Sequence, residues 1–197
     1  MGKIYVSTLD PGAYYIMSSI LKAAGIKFYS AIPGEIQDSE ALVLTTRKDL
    51  TLFQPRNVLL LEEMDEDPLL FSCQVFSRLE RVEESITLGI DPGKRIGVAV
   101  QVGDMYVGTA NVNSVRSLEL FIEKLMRRFQ NYRIKVKVGD GDIQLAVKLL
   151  KLFKSERFHV EIVDESGTSG RKVSSNMTRD QSAATRILLK RGKIINN

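Results

Sequence analysis

The sequence predicts an α/β protein in two parts, a small N-terminal α/β module followed by a larger domain built as a mixed sheet flanked by helices. Three observations predict it. Along the 197 residues, short apolar runs alternate with stretches whose apolar residues recur at helical spacing, the pattern of strands and helices taking turns. The stretch Ile86 to Val100, ITLGIDPGKRIGVAV, holds two apolar runs around the turn-forming Asp91-Pro92-Gly93 and reads as a largely buried hairpin. Charge changes sign along the chain. Residues 1–85 carry 8 Lys and Arg against 13 Asp and Glu, a net −5, whereas residues 86–197 carry 20 against 11, a net +9. The polar run RVEES, Arg81 to Ser85, marks the expected boundary, giving a module at 1–83 and a domain at 84–197.

In the module, Lys3 to Thr8 is expected as a strand. Asp10-Pro11-Gly12 then opens a helix, with Asp as N-cap and Pro at its first position. Ile16, Met17, Ile20, Leu21 and Ala24 share one face of that helix, and Gly25 stops it before a strand at Ile26 to Ser30. Further strands are expected at Ala41 to Thr45 and Asn57 to Leu61. An acidic run, Glu62, Glu63, Asp65, Glu66 and Asp67, leads into a helix from Pro68 to Leu79. Acids before a helix favour its N-terminal dipole and usually face solvent. The alternation implies a mostly parallel sheet, and neither a dinucleotide fingerprint nor a phosphate loop is present.

In the domain, Met105 to Val112 completes a three-strand meander with the hairpin. Leu118, Phe121, Ile122, Leu125 and Phe129 form the apolar stripe of a helix. A strand at Ile134 to Val138 ends in Gly139-Asp140-Gly141-Asp142, and a helix follows at Ile143 to Phe153. A strand at Phe158 to Val163 ends in Asp164-Glu165. The polar and basic loop SGTSGRKVSSNMTR precedes a last helix at Asp180 to Leu189.

Composition removes several chemistries. With one cysteine, Cys73, and one histidine, His159, the chain cannot build a disulfide framework, a zinc cluster or a Cys–His nucleophile. His159 falls mid-strand and reads as structural. A metal here has oxygen ligands, which selects Mg²⁺ or Mn²⁺. No apolar run reaches the roughly 18 residues of a membrane span, and the N-terminus reads as a strand rather than a leader, so a cytoplasmic protein with no membrane partner is expected. The basic half points to a polyanion. With no Trp in the chain, base stacking is not expected to dominate binding.

The acids at strand ends are the candidate chemistry. Carboxyl ends of parallel neighbours lie side by side, so Asp91, Asp140 and Glu165 are placed to converge on one spot. Asp180 falls on the helix face carrying Ala183, Ala184, Ile187 and Leu188, which should pack on the sheet. Each has a plainer reading. Asp91 suits the first position of a turn, Asp180 suits an N-cap, and Asp142 reads as a helix-start acid. Gly93 and Gly97 would allow close approach beside Asp91. Lys94 and Arg95 in the turn, and Arg171, Lys172 and Arg179 in the basic loop, are the candidate phosphate contacts.

Taken with these acidic strand ends, the element order resembles the ribonuclease H-like fold. GIDPGKRIGVAV is similar to the first-strand signature of its Holliday-junction-resolvase branch, the RuvC and YqgF-like proteins. VDESGTS at Val163 to Ser169 is similar to a YqgF-like strand-end motif, and DQSAATRIL at Asp180 to Leu188 to a last-helix motif. The resemblance covers about residues 86–192 and leaves the first module untouched. It implies a Mg²⁺- or Mn²⁺-dependent nuclease, a hydrolase of phosphodiester bonds in structured nucleic acid, DNA or RNA, branched substrates included, with a homodimer as an open arrangement. It implies Asp91, Glu165 and Asp180 as metal ligands, with Asp140 joining them as a catalytic carboxylate where RuvC-type enzymes have a glutamate. One departure is plain: RuvC-type nucleases carry an acid pair in the last helix, and here Met177 stands three residues before Asp180. The alternatives are a non-catalytic nucleic-acid-binding or regulatory protein that keeps the fold, an actin-like phosphotransferase for which the domain is too short, and an interaction protein working through its acidic module.

Overall fold

The order of elements follows from where turns and caps fall, in a computed structural model that describes residues 2–79, 84–166 and 177–195. The chain divides into two compact units, residues 1–81 and 82–197.

In the first unit, β1 (Ile4–Val6), β2 (Tyr29–Ser30), β3 (Leu42–Thr45) and β4 (Asn57–Leu60) form an all-parallel sheet in the order β2-β1-β3-β4. Helix α1 (Pro11–Ala23) starts as expected: the Asp10 carboxylate accepts from the Gly12 and Ala13 amides, and Pro11 has no amide to leave unpaired. Gly25, at φ 67°, ends it. Helix α2 (Pro68–Leu79) is capped by Asp67, which accepts from the Leu69 and Leu70 amides. Met17 and Leu21 of α1 and Phe71 and Val75 of α2 pack with Ile4, Val6, Leu42, Leu44 and Leu59 in one core. Two expectations change here. The strand drawn at Ile26 to Ser30 shrinks to two residues. Asp65, expected to face solvent, is 8% exposed, because its backbone amide is drawn to Gln74 Oε1 and its carboxylate closes on the Asp67 amide.

In the second unit, β5 (Ser85–Asp91), β6 (Ile96–Val102) and β7 (Met105–Val112) form the antiparallel meander. After α3 (Val115–Arg128), β8 (Arg133–Gly139) pairs parallel to β5. After α4 (Ile143–Leu150), β9 (Phe158–Val163) pairs parallel to β8. Helix α5 (Arg179–Leu189) follows, and β10 (Lys193–Ile194) runs antiparallel to β9. The sheet is therefore mixed, in the order β10-β9-β8-β5-β6-β7. Alternation sends Ile86, Leu88, Ile90, Val98 and Val100 to one face, all at most 1% exposed. The apolar stripe expected for α3 is buried too, at Leu118, Phe121, Ile122 and Leu125.

The other face presents Gly89, Gly97 and Ala99, and these small residues let α5 lie almost on the backbone. A Cβ on Gly89 would stand 2.5 Å from the Ala184 carbonyl oxygen, so no larger residue fits. Ala184 and Leu188 pack there against Ala99. Lys137, in the middle of β8, donates from Nζ to the Leu188 and Lys190 carbonyls at 2.7 and 2.8 Å, satisfying two acceptors at the C-terminal end of α5. That contact and the two-residue β10 were not anticipated from sequence.

Candidate functional site

Asp91 is the last residue of β5, and its two flanking strands place a glycine on either side of it. Across β6, its paired residue is Gly97. Across β8, the last pair is Ile90 with Val138, and one residue further stand Asp91 and Gly139. Gly97 makes room for the backbone of an acidic residue, and Gly139 for an acid side chain. A Cβ on Gly97 would lie 2.3 Å from the Asp180 carbonyl oxygen, so the first turn of α5 rests on that spot. A Cβ on Gly139 would lie 2.0 Å from Glu165 Oε1, so the Glu165 side chain fills the space over Gly139. Register and two missing side chains thus bring Asp180 and Glu165 to the sides of Asp91.

The electrostatics follow from that placement. The Asp91 carboxyl is pushed up from 3.8 to about 7, chiefly by burial and further by the Glu165 and Asp180 charges, with Arg186 and Arg179 opposing the rise. Asp91 is half-buried, Arg179 is exposed, and Lys94 and Arg95 lie exposed in the turn just after Asp91. Among the described residues, no three Asp, Glu, His or Cys side chains close around a common point as a metal cage does. Asp91 feels the charges of Glu165 and Asp180, and the three do not form a finished cage.

The remaining candidates separate clearly. Asp180 is not the helix cap: Thr178 accepts from the Gln181 amide, and Gln181 Oε1 accepts from the Thr178 amide, a reciprocal capping box. Relieved of capping, Asp180 sits in the first turn of α5. Asp142 does cap its helix, accepting from the Leu145 amide. Asp140, expected alongside the ligands, accepts from the Glu165 amide through Oδ1 at 2.9 Å. Gly97 makes the close approach expected of it; Gly93 meets only the Arg95 carbonyl, 3.3 Å from an added Cβ. His159 lies 3.6 Å from Glu161 Oε1, away from the strand-end acids. Arg171 and Lys172 fall outside the described residues. Arg186 was missed by the sequence reading, although a cation inside a helix whose neighbours are small or apolar is a readable signal. Gly139 was missed as well, since its role depends on a register that only the paired strands define.

No family model matches the sequence, and neither does any curated protein. Among solved structures, the crystal structure of Marinitoga piezophila Argonaute in complex with 5' OH guide RNA and target DNA is similar over 83% of this chain, at 12% identity and a TM-score of 0.30. This chain spans 39% of the length of that one. A likeness of that degree carries no argument about function.

Proposed function

We propose that the second unit is a Mg²⁺- or Mn²⁺-dependent nuclease that hydrolyses phosphodiester bonds in structured nucleic acid. The observation that carries this is the gathering of Asp91, Glu165 and Asp180 from three elements at one end of the β5, β8 and β9 strands. The resemblance of the first-strand and last-helix motifs to those of RuvC and YqgF-like proteins supports it, and so does the net +9 of residues 86–197.

The donor chemistry fits a hard divalent cation, since all three groups are carboxylates and the single His and Cys of the chain lie elsewhere. Asp91, Glu165 and Asp180 would hold the ion, which when bound supplies an activated water and stabilises the charge that develops on the attacking and leaving oxygens. The chain's own part is positional and electrostatic. Asp91 is held at the end of a core strand, where its backbone has no freedom to drift. Its raised proton affinity means that bringing a cation to this spot releases a proton near neutral pH. Lys94, Arg95 and Arg179, all exposed, are the groups that would meet the phosphates flanking the scissile bond. Arg186 opposes part of the rise in Asp91 proton affinity that burial and the neighbouring acids cause.

The direct test is a cleavage screen with Mn²⁺ on branched DNA, duplex DNA and structured RNA, comparing the parent with Asp91→Asn. Cleavage by the parent on at least one substrate, lost in the variant, is the expected result. No cleavage of any substrate, with nucleic-acid binding retained, favours the second reading, a binding or regulatory protein that keeps the fold. One observation already leans that way: the three carboxylates are near one another yet do not enclose a common point.

A further inference from the structure

We propose that Asp140 is a positioning residue, and that Gly139, Asp140 and Gly141 form a cradle which fixes the Glu165 carboxylate beside Asp91. This rests on the reading of the site given above. Three hydrogen bonds tie the two strand-end loops together. The Asp140 amide donates to the Val163 carbonyl at 3.2 Å, the Glu165 amide donates to Asp140 Oδ1 at 2.9 Å, and the Gly141 amide donates to Glu165 Oε1 at 3.0 Å. The first continues the β8–β9 pairing past the last strand residues. The second turns the Glu165 backbone so that its side chain comes back over β8, and the third receives the carboxylate there.

The two glycines are required for space. Among the described residues, the glycines with positive φ are Gly25, Gly34, Gly103 and Gly108, so neither Gly139 nor Gly141 is demanded by backbone conformation. Both instead face the Glu165 side chain. A Cβ on Gly139 would stand 2.8 Å from its Cδ, and one on Gly141 would stand 2.9 and 3.2 Å from its two carboxylate oxygens. Glutamate has several rotatable bonds, and fixing it costs rotamer entropy that a receiving amide and close walls offset. A short Asp that hydrogen-bonds a backbone amide is well suited to set that geometry and poorly placed to turn the same oxygen toward a cation. Asp140 therefore acts through Glu165.

The cradle is tested without metal by a double-mutant cycle in the full chain, using melting temperature. Gly141→Ala introduces a methyl whose nearest neighbours are the far end of the flexible Glu165 side chain, which can yield without disturbing the backbone; it should lower the melting temperature by about 2–4 °C. In a Glu165→Ala background the same change should be neutral or slightly stabilising, because alanine restricts the unfolded chain more than glycine does. Additive effects in the two backgrounds would overturn the cradle. The role of Asp140 is read separately, from the rise in melting temperature caused by Mn²⁺. Asp140→Asn keeps an acceptor for the Glu165 amide and should keep the rise, whereas Asp140→Ala should weaken Mn²⁺ affinity at least tenfold, on the order expected for a supporting contact. If Asp140→Asn loses the rise as completely as Asp91→Asn does, Asp140 is a ligand and the positioning role is wrong. A parent chain with no response to Mn²⁺ but with clear coupling between residues 141 and 165 sinks the metal reading of the site and leaves the cradle standing.

Discussion

The two units place the same tripeptide, Asp-Pro-Gly, at the carboxyl end of a core strand, and they use it in opposite ways. After β1, Asp10 turns back on the helix that follows and spends its carboxylate on the Gly12 and Ala13 amides. In the 3-10 turn that follows β3, Asp49 is 4% exposed yet fully satisfied, accepting from the Thr8 and Thr46 hydroxyls and from the Leu9 amide. Burial pushes the Asp49 carboxyl up, but the hydrogen bonds from Thr8, Thr46 and Leu9 and the charge of Lys48 outweigh it and hold the group below its ordinary range. Asp91, the last residue of β5, has other carboxylates for neighbours and rises to about 7. Burial is common to Asp49 and Asp91; the partners differ. Where donors surround an acid it fastens loops, and where acids surround it the site stores repulsion that a cation or a proton relieves.

This contrast is broken or sharpened by four measurements. The largest effect is expected from Asp91→Asn, which should reduce Mn²⁺-dependent cleavage by at least about 100-fold and remove the metal-induced rise in melting temperature. Asp49→Asn in the same assay should retain cleavage by a folded protein. Equal losses in the two variants would erase the distinction between them.

Nucleic-acid binding should follow the charge difference between the units. Neutralising three phosphates implies a loss of affinity of roughly 40-fold between 50 and 200 mM salt. A protein of residues 82–197 alone should bind more tightly than the whole chain, since residues 1–81, with 8 Lys and Arg against 11 Asp and Glu, take a net −3 away with them. Salt-insensitive binding would show that the basic half does not meet phosphates.

Stability should move in opposite directions at the two acids. Asp49→Ala strands the buried Thr46 hydroxyl and the half-buried Thr8 hydroxyl and should cost about 2 kcal/mol, read from denaturant unfolding of the full chain. Asp91→Asn at pH 8 without metal should cost nothing or stabilise slightly, because it removes a repelled charge. A loss at Asp91 equal to that at Asp49 would make Asp91 an ordinary turn acid.

The smallest effect is in pH dependence. The folded-state value of Asp91 is raised, so between about 4 and 7 the folded protein holds a proton that the unfolded chain has released. This group's contribution is complete below pH 4, declines as pH rises through that window and is constant above it. Solvent screening of a half-exposed group limits the change to about 1 kcal/mol. The same titration in Asp91→Asn should lack this decline between pH 4 and 7, and an identical slope in both proteins would remove Asp91 as its source.

Local chemistry wrote much of this molecule openly. Asp10 with Pro11 starts α1, Gly25 stops it, Asp142 caps α4, and the alternation through Ile86 to Val102 makes β5 and β6, because caps, turns and side-chain period act over a few residues. Asp91 and Glu165 stood out as acids at the ends of apolar runs, and Asp180 as a lone acid on the apolar face of the last helix. The sequence alone left Asp91 balanced between turn and ligand, and Asp180 between cap and ligand. The fold removes the cap reading of Asp180, since Thr178 takes the cap, and the space at Gly97 and Gly139 is taken by the first turn of α5 and by the Glu165 side chain. The hold of Lys137 on the end of α5, the short β10 and the turning of Asp140 toward the Glu165 amide likewise became visible only in the folded chain. Sequence period says which face a residue occupies, but which two residues meet across a sheet is fixed by register, and register is a property of the assembled strands.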